Sequence, residues 1–253
     1  MQVSFISIKK FSDKPYSEIL GYPRATSRQI KSRINELEKL KIRSISLTGP
    51  TTLGKLAILG KGYVGVVVLA KRNSKLVAVK IRRTDSQRKE MKNESILLKQ
   101  VNSVNVGPKM ILASKNFLVM EFLEGEKISG WVEKLKGTGS VKKLKSMIKS
   151  VLEDCYRLDH IGFDHGELSN ISKHVIVGKT KSTLIDFESS STKRRPSNVT
   201  SATQAIFIGS GIAKKVQKIY KNPSKEKIIN ALKQYKQERT HESFENLLSI
   251  LKL

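Results

Sequence analysis

Apolar residues recur at intervals of three and four along Val141–Leu158, where Val141, Leu144, Met147, Ile148, Val151, Leu152 and Cys155 share one face. That spacing predicts a long amphipathic core helix, in which Cys155 is a packing residue rather than a nucleophile. Thr26–Leu40 carries the same period through Ile30, Ile34, Leu37 and Leu40, with Thr26 or Ser27 placed to cap its start. A shorter helix is expected around Tyr16–Leu20, and two more near Lys225–Gln237 and Glu242–Leu251. Elsewhere the period falls to two. Leu56–Lys61, Val64–Ala70 and Leu76–Ile81 read as three antiparallel strands, with Arg72, Asn73 and Ser74 in the second turn. Met110–Ala113 and Phe117–Phe122 add two strands, giving an expected sheet of five; Val175–Val177 and Thr183–Ile185 form two short strands later.

Two charged residues interrupt this pattern. Alternation along the third strand sets Leu76, Ala78 and Lys80 on one face and Val77, Val79 and Ile81 on the other. A lysine beside a small alanine suits a face that covers a nucleotide, the alanine leaving room for a flat base. The next helix, Gln87–Val101, carries Met91, Leu98 and Val101 on one stripe, and Glu94 lies on that stripe too. A carboxylate is expensive to bury unpaired, so Lys80 is its expected counter-ion. Upstream, Gly60, Gly62 and Gly65 fall in the spacing G-x-G-x-x-G, with Val67 following. A dinucleotide-binding turn shares that spacing but must enter a helix. Here Val66, Val67, Val68 and Leu69 continue as a strand.

Residues 1–50 are expected to form a helical extension. Its basic helix, with Arg24, Arg28, Lys31 and Arg33, has the form of half a helix-turn-helix or of an extension packed on the domain that follows. A boundary is expected after Met120, Glu121, Phe122 and Leu123, dividing residues 51–123 from 124–253. Composition alters this picture at one point. A formal net charge of +26 implies either a polyanionic neighbour, such as RNA or a ribonucleoprotein, or a lysine-rich solvated surface. One cysteine and four histidines exclude a disulfide framework and a cysteine-rich zinc site. Apolar runs are too short for a membrane span, and the start lacks the pattern of a secretory signal. A cytoplasmic protein is expected.

The remaining chemistry lies after the long helix. His165, Gly166, Glu167 and Leu168 follow it, and Asp186, Phe187 and Glu188 close the two short strands. Taken in order, the glycine turn, Lys80, Glu94, His165–Glu167 and Asp186 resemble a minimal, atypical serine/threonine protein kinase of archaeal type, akin to the Rio and Bud32 families. The resemblance covers roughly residues 56–215. It implies a protein-kinase-like two-lobe α+β fold, with a five-stranded antiparallel N-lobe and a reduced, mostly helical C-lobe. It also implies ATP and magnesium. Gly60, Gly62, Gly65, Val67, Ala78, Met120, Glu121 and Leu123 would then line the nucleotide, and Lys80, fixed by Glu94, would contact its phosphates. Glu167 and Asp186 would complete the catalytic set with Lys80.

The family pattern is not followed throughout. Glu167 stands where the family has aspartate, and it is one methylene longer. Ser172 occupies the position of the second metal-binding asparagine. Asn170 lies two residues early, and His174 directly precedes the strand. Metal ligation is therefore expected from Asp186, His174 and Glu188. The segment Ser189–Ala202, rich in serine, threonine and arginine, reads as a short flexible loop in which Ser189, Ser190, Ser191 and Thr192 are candidates for self-phosphorylation. Three functions stand open at this point: a protein kinase acting on serine or threonine, a nucleotide-binding switch docked on RNA or ribonucleoprotein, and a small-molecule kinase.

Overall fold

The computed structural model describes residues 4–209 and 211–253. The chain divides into two compact units, one running to Gln100 and resuming over Pro108–Leu123, the other comprising Val101–Gly107 and Glu124–Leu253.

In the first unit, strand β1 (Ile6–Ser7) leads through a short 3-10 turn to helices α1 (Ser17–Leu20) and α2 (Ser27–Lys39). Thr26 closes a reciprocal cap on α2, its hydroxyl accepting from the Gln29 amide and its own amide donating to the Gln29 side chain. Strands β2 (Ile42–Ser46), β3 (Thr51–Leu53), β4 (Leu56–Ile58), β5 (Gly60–Lys61), β6 (Gly65–Arg72) and β7 (Lys75–Arg82) follow. Helix α3 (Lys92–Asn102) then precedes β8 (Met110–Ala113) and β9 (Phe117–Glu121). Among the described residues the main sheet has seven strands rather than five, in the order β1-β2-β6-β7-β9-β8 with β5 paired to β6. Two of them, β1 and β2, come from the segment expected to be helical. The expected strand Leu56–Lys61 is broken, because β4 pairs with β3 in a separate hairpin while β5 joins the main sheet.

One face of this sheet supports a core. Val66, Val68, Ala70, Val77, Val79, Ile81, Phe117 and Val119 pack there against Ile8, Phe11, Ile19, Leu20, Ile30 and Leu37 from the N-terminal segment. The helical extension is thus part of the first unit's core, as apolar burial of a sheet face requires. Strands β6 and β7 stay in unbroken register from Gly65↔Arg82 to Arg72↔Lys75. Asn73 and Ser74, both at positive φ, make the two-residue turn between them.

The second unit contains β10 (Gly125–Lys127), α4 (Ile128–Lys134), α5 (Ser140–His160), α6 (Ile171–His174), β11 (Val175–Gly178) and β12 (Ser182–Leu184). Helices α7 (Asn198–Phe207), α8 (Ile212–Ile219), α9 (Lys225–Glu238) and α10 (His241–Ile250) complete it. The three strands form one antiparallel sheet in the order β10-β11-β12. Helix α5 buries Leu144, Met147, Ile148, Val151, Leu152, Cys155 and Leu158, as its period predicts, whereas Val141 in its first turn is 40% exposed. The same helix also buries Asp154 and Asp159. No helix among the described residues is long and apolar enough to cross a membrane.

Candidate active site

Half of the predicted site lies in the first unit. Direct pairing sets Val67 opposite Lys80, and Ala78 opposite both Leu69 and Met120. These residues share the sheet face turned away from the N-terminal helices. Lys80 is 5% exposed there, and its Nζ lies 2.6 Å from Oε1 of Glu94, itself 5% exposed. Arg88 Nη1 approaches the other carboxylate oxygen at 3.9 Å. Gly62 N–H donates to Gly65 C=O at 2.8 Å and so closes the glycine turn. A Cβ on Gly65 would sit 2.6 Å from Ile81 O and 3.2 Å from Lys80 Cγ, whereas one on Gly60 would meet nothing within 4 Å. Gly65 is therefore dictated by the approach of β7, while Gly60 leaves open space above the strand. Glu121 pairs with Val77 on the opposite face, and its amide and carboxylate are both engaged with the Lys109 backbone.

The other half lies in the second unit, and its loop is pinned by residues that the sequence reading did not single out. Asp159, near the end of α5, accepts from Asn198 N at 2.9 Å, Asn198 Nδ2 at 2.8 Å, Val199 N at 3.2 Å and Tyr235 OH at 3.0 Å. It thereby caps the start of α7 from across the fold. Burial raises its pKa, and these four donors oppose the shift. Asn198 in turn accepts from the His165 amide at 2.8 Å and donates to Phe163 O at 2.6 Å. Asp164 binds both backbone and side chain of the segment after Glu188. It exchanges two backbone bonds of 2.9 Å with Ser191 and accepts from Arg194 Nε at 2.9 Å. Gly166, at φ +86°, lies under Arg194, where a Cβ would fall 2.4 Å from Nη2. The stretch read as a flexible loop is therefore fastened at Ser191 and Arg194 to the loop that carries Asp164, and from Asn198 onward it is helical.

His165 is fully buried, and its Nε2 lies 3.1 Å from Ile185 O, joining the loop to the residue before Asp186. Burial, with His174 nearby as a lesser cause, lowers its pKa to about 4, so the ring is neutral at pH 7. Glu167 is held at both oxygens. Oε1 accepts from Ser189 Oγ at 2.7 Å, and Oε2 lies 3.2 Å from Nε2 of His174. His174 ends α6, and its carbonyl accepts from the Ile185 amide at 2.9 Å. It thus stands directly beside the strand that delivers Asp186. Glu167, His174 and Asp186 bring their ligand atoms within 4.8 Å of one another, and a Glu188 oxygen lies within the same distance of Asp186. Asn170, the asparagine that falls two residues early, is exposed. Asp186 has φ +68°, a left-handed conformation that costs an L-aspartate energy and that structures concentrate at functional loops.

Two other sequence expectations meet a definite outcome. Arg33 does not belong to a solvated basic face: it is 4% exposed, bonded to Leu20 O and Asn116 Oδ1, and burial lowers its pKa to about 10. Cys155 is fully buried, and burial pushes its thiol well above the usual range, which makes it inert. A polar cavity of about 150 Å³ lies in the second unit, lined by Ser150, Asp154, Arg157, Lys181 and Thr183 among others. None of its lining residues belongs to the predicted site.

Known proteins bear on these loops. The sequence model of the RIO domain matches residues 69–202, a span that holds Lys80, Glu94, Glu167, His174 and Asp186 but begins after the glycine turn. The chain is also similar to the uncharacterized protein MJ1211 of Methanocaldococcus jannaschii. Identity is 29% over 98 residues, covering 39% of this chain and 80% of that protein.

Proposed function

Because the chain belongs to the RIO domain family of atypical protein kinases, we propose that it is an ATP-dependent serine/threonine protein kinase that transfers the γ-phosphoryl group to a protein hydroxyl, its own included. The observation that carries this reading is the buried Lys80–Glu94 pair at 2.6 Å. A buried ion pair is a poor way to stabilise a fold, since desolvation offsets most of its attraction. Its value lies in holding an ammonium group at a fixed point, as contact with the α and β phosphates requires. Gly60, with open space above its Cα, supports a lid that approaches those phosphates.

In the second unit, Asp186 and Glu188 offer only carboxylate oxygens, a donor set that fits magnesium. When bound, that ion supplies positive charge against the charge on the transferred phosphoryl group. Glu167 is the residue that receives or orients the proton of the acceptor hydroxyl. Its bonds from Ser189 and His174 fix a side chain that is one methylene longer than the family's aspartate.

The test is transfer from labelled ATP to a generic acceptor protein, comparing wild type with Asp186→Asn, which tolerates the left-handed backbone. Loss of transfer on the order of 100-fold or more is expected, with the circular-dichroism spectrum unchanged. Undiminished transfer by the folded variant overturns the proposal. A second reading, a nucleotide-binding switch docked on RNA or ribonucleoprotein, draws on the engagement of both Glu167 oxygens and on the net charge of +26. Tight ATP binding without transfer to any protein would favour it.

A further inference from the structure

The polar cavity of the second unit lies outside the proposed kinase site, and three separate stretches wall it. Helix α5 brings Ser150, Asp154 and Arg157 to one face, at offsets of four and three. The turn between β11 and β12 adds Lys181, β12 adds Thr183, and the loop after α3 closes the space at Gly107. We propose that this cavity binds inorganic phosphate in its singly protonated form, hydrogen phosphate. The proposal does not depend on the kinase reading.

The unanswered donors point to an anion. Arg157 donates from Nη2 to Asp154, its only side-chain partner among the described residues, and its Nε is buried with none. A buried N–H without an acceptor costs free energy, and native structures answer nearly all such groups with protein, water or ligand. Lys181 makes no ion pair among the described residues, and the hydroxyls of Ser150 and Thr183 make no hydrogen bond among them. Against these donors stands one charged acceptor, the carboxylate of Asp154, which is 6% exposed. A lone carboxylate between a guanidinium and an ammonium cannot hold a cation. An oxyanion instead takes charge-assisted bonds from both. At about 150 Å³ the space far exceeds the roughly 10–15 Å³ that one water needs, so an ion of four oxygens fits.

Asp154 decides which oxyanion. Burial raises its pKa to about 7, so at pH 8 the carboxylate is mostly ionised and needs a donor. Hydrogen phosphate brings that donor, because it still carries a proton to give to the carboxylate. Sulfate carries none, and a phosphate monoester has lost both of its protons at that pH. Either would set its charge against Asp154.

Calorimetry of the full chain with inorganic phosphate at pH 8, without nucleotide, tests the proposal. Phosphate should bind with a dissociation constant between about 10 μM and 10 mM, the range open to a ligand of five heavy atoms. Sulfate and methyl phosphate should bind about tenfold more weakly or worse. Arg157→Met should weaken phosphate by about tenfold or more, and Lys181→Ala, at an exposed position, by about threefold or more. Asp154→Asn, whose amide donates to any oxyanion, should bind phosphate and sulfate equally. If Arg157→Met does not fold, Asp154→Asn and Lys181→Ala decide, since the first removes a costly buried carboxylate and the second changes an exposed residue. No phosphate binding below about 10 mM overturns the proposal. So does equal wild-type affinity for phosphate and sulfate. Phosphate affinity and selectivity that the folded variants leave unchanged would put the ion elsewhere, at Lys80 for instance, and overturn it too.

Discussion

Asn198→Ala tests whether α7 positions the loop that carries His165 and Glu167. The side chain is 1% exposed and makes three bonds: from the His165 amide at 2.8 Å, to Phe163 O at 2.6 Å and to Asp159 Oδ1 at 2.8 Å. Two of these are neutral, worth about 1 kcal/mol each, and the third meets a carboxylate, worth about 1.5–3 kcal/mol. Alanine strands the His165 amide and the Phe163 carbonyl in the interior. A loss of about 3–5 kcal/mol follows, or a fall in melting midpoint on the order of 10 °C. The chain's one tryptophan, Trp131, lies in α4 of the same unit, so its fluorescence in urea reports the relevant transition. At temperatures where the variant stays folded, phosphoryl transfer should still fall 10- to 100-fold, because a displacement of about 1 Å at Glu167 is enough for that. Asn198→Asp should be worse than alanine near pH 7, since it sets a second buried carboxylate against Asp159. A loss below about 1 kcal/mol, or full transfer by folded Asn198→Ala, would show that α7 does not position the loop.

The two lid glycines should separate stability from ligand binding. Gly60→Ala should keep the melting midpoint while weakening binding of an ATP analogue, measured by calorimetry. Gly65→Ala should lose both, with a stability cost of about 1–3 kcal/mol from the clash with Ile81 O. Acid stability should depend on His165. With its folded pKa lowered to about 4, the unfolded chain takes the proton first, so stability present above about pH 6.5 is lost as pH falls toward 4. His165→Gln should flatten urea midpoints across that window. Asp154 has the opposite sign. Burial raises its pKa to about 7, so the folded state holds the proton and stability is lost as pH rises from about 4 through 7. Between pH 5 and 8, Asp154→Asn should gain roughly 2–3 kcal/mol on wild type.

The parts of the site that depend on local periodicity were legible. Two-residue alternation put Lys80 on the face opposite Val79, and the helical stripe put Glu94 toward it. The same logic, applied to α5, would have found Asp159, which follows Cys155 by four positions on the apolar face. Its partners could not have been read, because Asn198 and Tyr235 meet it only through the fold of the second unit. The hydroxyl-rich run after Glu188 misled for the same reason: a distant carboxylate caps α7 and a distant Asp164 holds Ser191. Strand β2 escaped notice because an irregularity between Ile42 and Ser44 breaks its pairing register, and with it the period of two.

The β6–β7 turn has a consequence for how this chain tolerates change. The eight paired positions run without a bulge from Asn73 and Ser74 to Gly65 and Arg82. Which side of the sheet carries Lys80 is thus a matter of parity, counted from the turn. A slip of the pairing by one residue would turn Val79 and Ile81 to the face that carries Lys80 and drive the ammonium into the packed interior. Residues added at the tip would instead be looped out and leave every side chain where it was, since hairpin loops of about two to five residues all keep the strand pairing. Length should therefore vary freely at the hairpin tip and not at all within the paired positions.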